Sequence, residues 1–182
     1  IRDRRTAGEG VALVDLGPRE HACNEPFQVA SFVKDPAAQL ISNFAPTPFE
    51  LDGRAYSSVE SFWQGLKFEK ESDRRRLADL PGPQARRAGE EQGYGATVTY
   101  EGRAAVVGTF EHWQLMERAC WAKFTQHQEA RQALLSTGER PIVHRVRRDS
   151  RTIPGVIMAQ VWMKIRRKLL AGAGAAAGPD GD

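Results

Sequence analysis

Residues 41–68, ISNFAPTPFELDGRAYSSVESFWQGLKF, decide how this chain folds. Asp52-Gly53 lies between Pro48-Phe49-Glu50-Leu51 and Arg54-Ala55-Tyr56. An Asp-Gly pair flanked by alternating apolar and polar residues is a strong signal for a tight hairpin. Ser57 and Ser58 stop the second strand and offer hydroxyls to open a helix. In that helix the period changes: Val59, Trp63 and Leu66 fall at i, i+4, i+7 on one apolar face. Glu60, Gln64 and Lys67 repeat the spacing one residue round, so a carboxylate, an amide and an ammonium share a stripe beside the buried one. Two readings of the stripe stand. It lines a cleft, or Glu60 closes a capping box with Ser57 while Gln64 and Lys67 are solvated.

The bulk figures bound what the stripe can belong to. A chain of 182 residues is long enough for one domain with a real core. Hydrophobic residues make up 41% and charged residues 27%, ordinary for a globular protein. Lys+Arg number 26 and Asp+Glu 23, a net charge of +3. That excess is too small for strong non-specific nucleic-acid binding. Cys23 and Cys120 make no disulfide framework and suit a reducing compartment, with Cys120 as a small core residue. No apolar run approaches the roughly 20 residues that span a bilayer, and residues 1–10 hold no apolar signal core. A cytoplasmic location is the expectation. The chain opens on Ile1 rather than Met, consistent with a piece of a longer protein.

Working outward, residues 1–10 read as a mobile end, 11–170 as a single domain and 171–182 (AGAGAAAGPDGD) as a low-complexity, disordered tail. A short strand is expected at 11–17 and a longer one at 27–33, ended by Lys34-Asp35-Pro36. Ser72-Asp73 open a short helix, and 84–92 form another that Gly93 terminates. Thr97–Tyr100 and Arg103–Val107 flank Glu101-Gly102 as a second hairpin. Thr109 caps the clearest long helix, where Trp113, Met116, Glu117, Cys120, Trp121 and Phe124 form one stripe. Five of those six suit a core. Glu117 needs a partner from another element, and an arginine is expected. A short helix spans 128–136 and a strand 141–144. Val156 to Leu170 form the last helix, buried through Ile157, Met158, Val161, Trp162, Ile165 and Leu169, with Lys164 and Arg166 to Lys168 near its end. The fold class is α+β: one mostly helical domain packed on small antiparallel strand pairs.

The four histidines and two cysteines show no metal-ligand spacing, so no metal is expected. There is no Walker loop, no GxGxxG and no GxSxG elbow. Carboxylates, lysines and arginines remain. The 145–151 run carries Arg145, Arg147, Arg148 and Arg151, which bind phosphates or simply form a solvated face; Arg140 is expected to join them.

The signature ISNF, Pro48-Phe49 and LDGRAYSSVESFWQGLKF resembles that of the NADAR, or YbiA-like, family over nearly 30 residues. The resemblance implies a YbiA-like fold and hydrolysis of N-glycosidic bonds to ribose. The substrates it implies are ADP-ribose conjugates such as ADP-ribosylated guanine, free or in nucleic acid, and phosphoribosylamino-pyrimidines of the riboflavin pathway. It places the family's helix glutamate on Glu60, its lysine on Lys67 and its later aspartate on Asp149. Its serine-asparagine-phenylalanine falls on Ser42, Asn43 and Phe44, and Met116, Lys123-Phe124 and Thr137-Gly138 match as well. The second half departs. Gly108 stands where the family has a tryptophan, His144 where it has a glutamate, and 150–155 (SRTIPG) where it has a tryptophan-containing loop.

Ribosyl C–N cleavage develops positive charge at the anomeric carbon. It needs an acid for the leaving nitrogen, or an amine that captures C1 as a Schiff base. The expected catalytic residues are Glu60, Lys67 and Asp149. The expected substrate contacts are Ser42, Asn43, Phe44, Gln64, Trp113, His144 and Arg148, with Phe44 or Trp113 stacking on a base. No cofactor is required. The rival expectation is a non-catalytic module that binds ADP-ribose or a related nucleotide. In coordinates, Glu60, Lys67 and Asp149 should converge within about one ribose.

Overall fold

The computed structural model describes residues 25–176. The end expected to be mobile at 1–10, the strand expected at 11–17 and Cys23 lie outside that span. Strand β1 (Phe27–Gln28) pairs with β6 (Ile142–Val143) in parallel, Phe27 opposite Ile142. The strand expected at 27–33 is thus two residues long, and the chain turns just beyond Ala30. The parallel pairing also corrects the expectation of antiparallel pairs alone. Parallel neighbours need a long crossover, and here most of the domain supplies it.

Lys34-Asp35-Pro36 starts something as well as ending it. Asp35 Oδ1 accepts the Ala38 N–H at 2.9 Å and Pro36 takes the first turn of helix α1 (Pro36–Ile41). Strands β2 (Phe49–Leu51) and β3 (Arg54–Tyr56) form the first hairpin, with Asp52 and Gly53 both at positive φ, 52° and 75°. That is the two-residue turn whose twist matches the strands.

Helix α2 (Val59–Gly65) follows, capped by Ser58, whose Oγ accepts the Ser61 N–H at 3.1 Å. Every residue of α2 is buried. Helices α3 (Glu71–Ala78) and α4 (Gly82–Gln92) pack on it. Gly82 has to be glycine: a Cβ there would sit 2.9 Å from the Phe44 backbone. Strands β4 (Thr97–Tyr100) and β5 (Arg103–Val106) make the second hairpin through Glu101 and Gly102. The rings of Phe49, Tyr56, Phe62 and Tyr100 meet in series, with centroids 5.5, 5.2 and 5.4 Å apart. They weld both hairpins to α2, each contact adding about 0.5–1.5 kcal/mol beyond area burial.

Helix α5 (Phe110–Gln126) buries His112, Met116, Ala119, Cys120 and Lys123. This stripe lies one residue round from the expected one. Trp121 is therefore 39% exposed, which corrects its place in the core. Glu117 is held at 2.7 and 3.0 Å by Lys164 and Lys168, not by an arginine. Helices α6 (Gln128–Ser136) and α7 (Gly155–Ala176) complete the fold. Helix α7 runs six residues past Leu170, so 171–176 are helical; alanine there is a strong helix former. Its cations are consequently not at its end. Arg166 is buried and donates to Thr137 Oγ1 at 2.7 Å and the Arg140 carbonyl at 2.9 Å. No described helix is long and apolar enough to cross a membrane.

Candidate active site

The end of α1, α2, α4 and the stretch from His144 to Ile153 enclose a cleft of about 760 Å³, within the range of small-molecule sites. Nine of the ten expected site residues line it: Ser42, Asn43, Phe44, Glu60, Gln64, Lys67, His144, Arg148 and Asp149. Trp113 does not. Its Nε1 donates to the Thr152 carbonyl at 2.8 Å, so it braces the cleft from behind instead of facing a ligand.

Glu60 is 4% exposed, on a helix with no solvent face. Ser58, not Ser57, caps α2, and the Glu60 carboxylate takes no part in the cap. Its Oε1 accepts Gln64 Nε2 at 2.6 Å and lies 3.7 Å from Arg86 Nη1. Its own N–H donates to the Asn43 carbonyl at 2.9 Å, tying α2 to the corner after α1. Burial pushes the Glu60 carboxyl above the usual glutamate range; the Gln64 amide, Arg86 and Lys67 pull against that push. Gly89 has no side chain, which leaves room for Gln64 Oε1 against α4.

Lys67 lies just past α2, which ends at Gly65. Its Nζ donates to the Gly89 carbonyl at 2.7 Å and stands 4.6 Å from the centre of the Tyr94 ring. Burial and then the Arg86 charge push this amine below the ordinary lysine value, with Glu60 and Glu90 opposing. Arg86 itself is half-exposed and bonded through Nε to Glu90 Oε1 at 2.6 Å. Glu60, Lys67, Arg86 and Glu90 therefore form one coupled group of charges along the α2–α4 side of the cleft.

Asn43 is held softly. Its Nδ2 faces Met158 Sδ at 3.2 Å and Met116 Sδ at 3.6 Å, and its Oδ1 faces Cys120 Sγ at 3.8 Å. Sulfur is a weak partner, so the amide can be recruited by a ligand at little cost.

The opposite side is built from backbone. Asp149 Oδ1 accepts the N–H of Ser150 and of Gly155, both at 2.8 Å, which fixes the loop onto the start of α7. Among the described residues Asp149 makes no ion pair or hydrogen bond with Lys67. His144 Nδ1 is 2.6 Å from the Val29 carbonyl and its ring meets Trp162 edge-on. Gly155 must be glycine because a Cβ would strike the His144 carbonyl. Arg148 and Arg151 both line the cleft. Arg140 is elsewhere, donating to the Glu25 and Pro26 carbonyls.

Sequence reasoning missed Arg86, Glu90 and Tyr94. Arg86 and Glu90 stand at i, i+4, the spacing of any solvated helix pair; only the packing of α4 on α2 brings them to Glu60. Among the described residues no group of three or more His, Cys, Asp or Glu is arranged to hold a metal ion.

Comparisons with known proteins now bear on this geometry. The family described as Bacteriophage protein GP30.3 matches residues 35–163. The chain is homologous to N-glycosidase YbiA of Escherichia coli (strain K12), at 30% identity over 110 residues, covering 60% of this chain and 64% of that protein. N-glycosidase YbiA of Shigella boydii serotype 4 (strain Sb227) matches with the same figures. This chain's match thus spans less than two thirds of the length of those curated relatives. The NMR structure of the E. coli protein YbiA superposes with a TM-score of 0.61 at 22% identity, covering 82% of this chain and 88% of that one. The YbiA-like fold implied by residues 41–68 is the one observed.

Proposed function

This chain belongs to the Bacteriophage protein GP30.3 family, and we propose that its cleft hydrolyses a ribosyl N-glycosidic bond. The reading rests on one observation: a carboxyl group 4% exposed and pushed upward in pKa, set in a cleft beside a lysine and an arginine. A glutamic acid whose burial favours its protonated form can give that proton to the leaving nitrogen as the C1′–N bond breaks. The resulting carboxylate then stabilises the oxocarbenium ion and takes a proton from the water that adds to C1′. Lys67, its amine pushed toward the neutral form, offers a second route: addition to C1′ of the opened sugar, loss of the base, and hydrolysis of the Schiff base. Gln64 and Asn43 position the sugar, and Phe44 is the ring available for stacking on a base. Asp149 keeps one carboxylate oxygen for a ribose hydroxyl, since its backbone bonds use Oδ1.

The substrates are ADP-ribose conjugates, ADP-ribosylated guanine among them, or phosphoribosylamino-pyrimidines. Arg86 meets a phosphate at one side of the cleft and Arg148 and Arg151 at the other. The setting is the cytoplasm.

A panel of ribosylated compounds, assayed for free base, tests the reading. Wild type is expected to release base from at least one. Glu60→Gln should bind that compound in calorimetry and release base about 10²- to 10⁴-fold more slowly, the usual worth of a positioned acid. Borohydride added during turnover should trap sugar on Lys67 only if the Schiff-base route operates. A second reading, a non-catalytic nucleotide-binding module, is favoured by the Lys67 bond to Gly89, which holds the amine against α4. Binding without release across the panel would establish that module instead.

A further inference from the structure

We propose that Lys123 is a positioning residue that sets Glu60 in the cleft by clamping the corner between α1 and α2 onto α5; this rests on Glu60 being the reaction's acid. Lys123 is 0% exposed, and its Nζ donates to the Ile41 carbonyl at 3.1 Å and the Ser42 carbonyl at 2.8 Å. Among the described residues no carboxylate pairs with it. Burying an amine this deeply is costly unless its N–H groups are bonded, and here two backbone carbonyls take them.

What it does follows from its place. Helix α1 ends without the left-handed turn that normally ties off last carbonyls, since Ser42 leaves at φ −50° and ψ 142°. The lysine supplies the missing donors. One residue on, the Asn43 carbonyl accepts the Glu60 N–H at 2.9 Å. Met116, Cys120 and Lys123 stand at i, i+4, i+7 on α5, and all three touch residues 41–43. One face of α5 thus grips the corner by two sulfurs and an amine, and the corner holds the backbone of the acid. Lys123 does not line the cleft, and Ser42 is the only cleft-lining residue among its hydrogen-bond partners, so it acts through Glu60 and not on a ligand.

The variant is Lys123→Met, which keeps the volume and removes the donors. Its comparison is Leu169→Ala, a change at another buried residue, on α7 and far from the corner in sequence. With N-ADP-ribosylated guanosine as probe, Lys123→Met should lower kcat at least tenfold with KM within threefold. The limb of the kcat–pH profile that reports the acid should shift by half a unit or more. Leu169→Ala should lower the melting temperature while leaving that limb in place. Amide hydrogen exchange at Glu60, which needs no substrate, should quicken at least tenfold in Lys123→Met relative to Leu169→Ala. Should Lys123→Met not fold, Lys123→Gln, with an N–H on a shorter stem, is read for the same exchange at reduced size. Unchanged protection at Glu60 in the folded variant overturns the inference whether or not the probe turns over. A wild type that releases no base while exchange at Glu60 responds as expected fails the reading of the reaction, not the clamp.

Discussion

The two sides of the cleft are made differently. On the α2–α4 side, Glu60 and Gln64 are sealed in a helix with no solvent face, and Arg86 pairs with both Glu60 and Glu90. On the other side, Arg148, Asp149, Ser150 and Arg151 are exposed, and their loop is held by backbone bonds and by Trp113 from behind. Burial is what shifts a carboxyl pKa, and exposure is what lets a cation meet a phosphate arriving from water. The proposed hydrolysis therefore has its acid and amine on the first side and most of its phosphate capture, by Arg148 and Arg151, on the second.

That division can be broken by experiment. On the buried side, Lys67→Met should lower kcat on the order of 10²-fold with KM little changed, as for a group used in the reaction itself. A rise in KM alone would move Lys67 to the capturing side. On the exposed side, the double variant Arg148→Ala, Arg151→Ala should raise KM about tenfold and leave kcat within twofold, the worth of about one charged hydrogen bond to phosphate at a solvent-exposed site. The rise should shrink in high salt, because exposed charges are screened. A drop in kcat without a rise in KM would erase the contrast. Trp113→Phe keeps the ring but loses the bond to the Thr152 carbonyl. It should raise KM about threefold, consistent with one lost hydrogen bond near 1 kcal/mol.

A separate effect, on stability rather than on rate, belongs to Lys123, behind the buried side. Burial holds its amine down to about 7. Between there and the ordinary lysine value of 10.5 the unfolded chain binds a proton that the folded chain lacks. Stability should therefore rise with pH across that window, the cost of burial being fully present below it. Thermal melts from pH 7 to 9 should show a shallower rise for Lys123→Met than for wild type, and parallel curves would contradict this.

The same contrast explains what could be read from the chain. Asp52-Gly53 and Glu101-Gly102 declare their hairpins because a tight turn leaves few residue choices. The Glu60, Gln64, Lys67 stripe was legible because helix period is local, although Lys67 proves to lie just past the helix end. Arg86 was not legible: its partner at i+4 makes it look solvated, and only the packing of two helices sets it beside Glu60. Lys123 was matched to a family position, but a lysine on a helix gives no local sign of being sealed inside. Trp113 and Trp121 show the limit of periodicity over a long helix. The buried stripe lies one residue round, which turns Trp121 out to solvent and Trp113 away from the cleft. Helix α1 escaped notice because Asp35-Pro36 both ends an extended run and begins a short helix.

The most direct test of Glu60 as a buried acid is the pH dependence of kcat for base release by wild type beside Glu60→Gln. The account expects wild-type kcat to fall as pH rises through a pKa above the usual glutamate value, and that limb to be absent from the residual activity of Glu60→Gln. A wild-type profile with no such limb, or a Glu60→Gln variant that keeps it, would contradict the account.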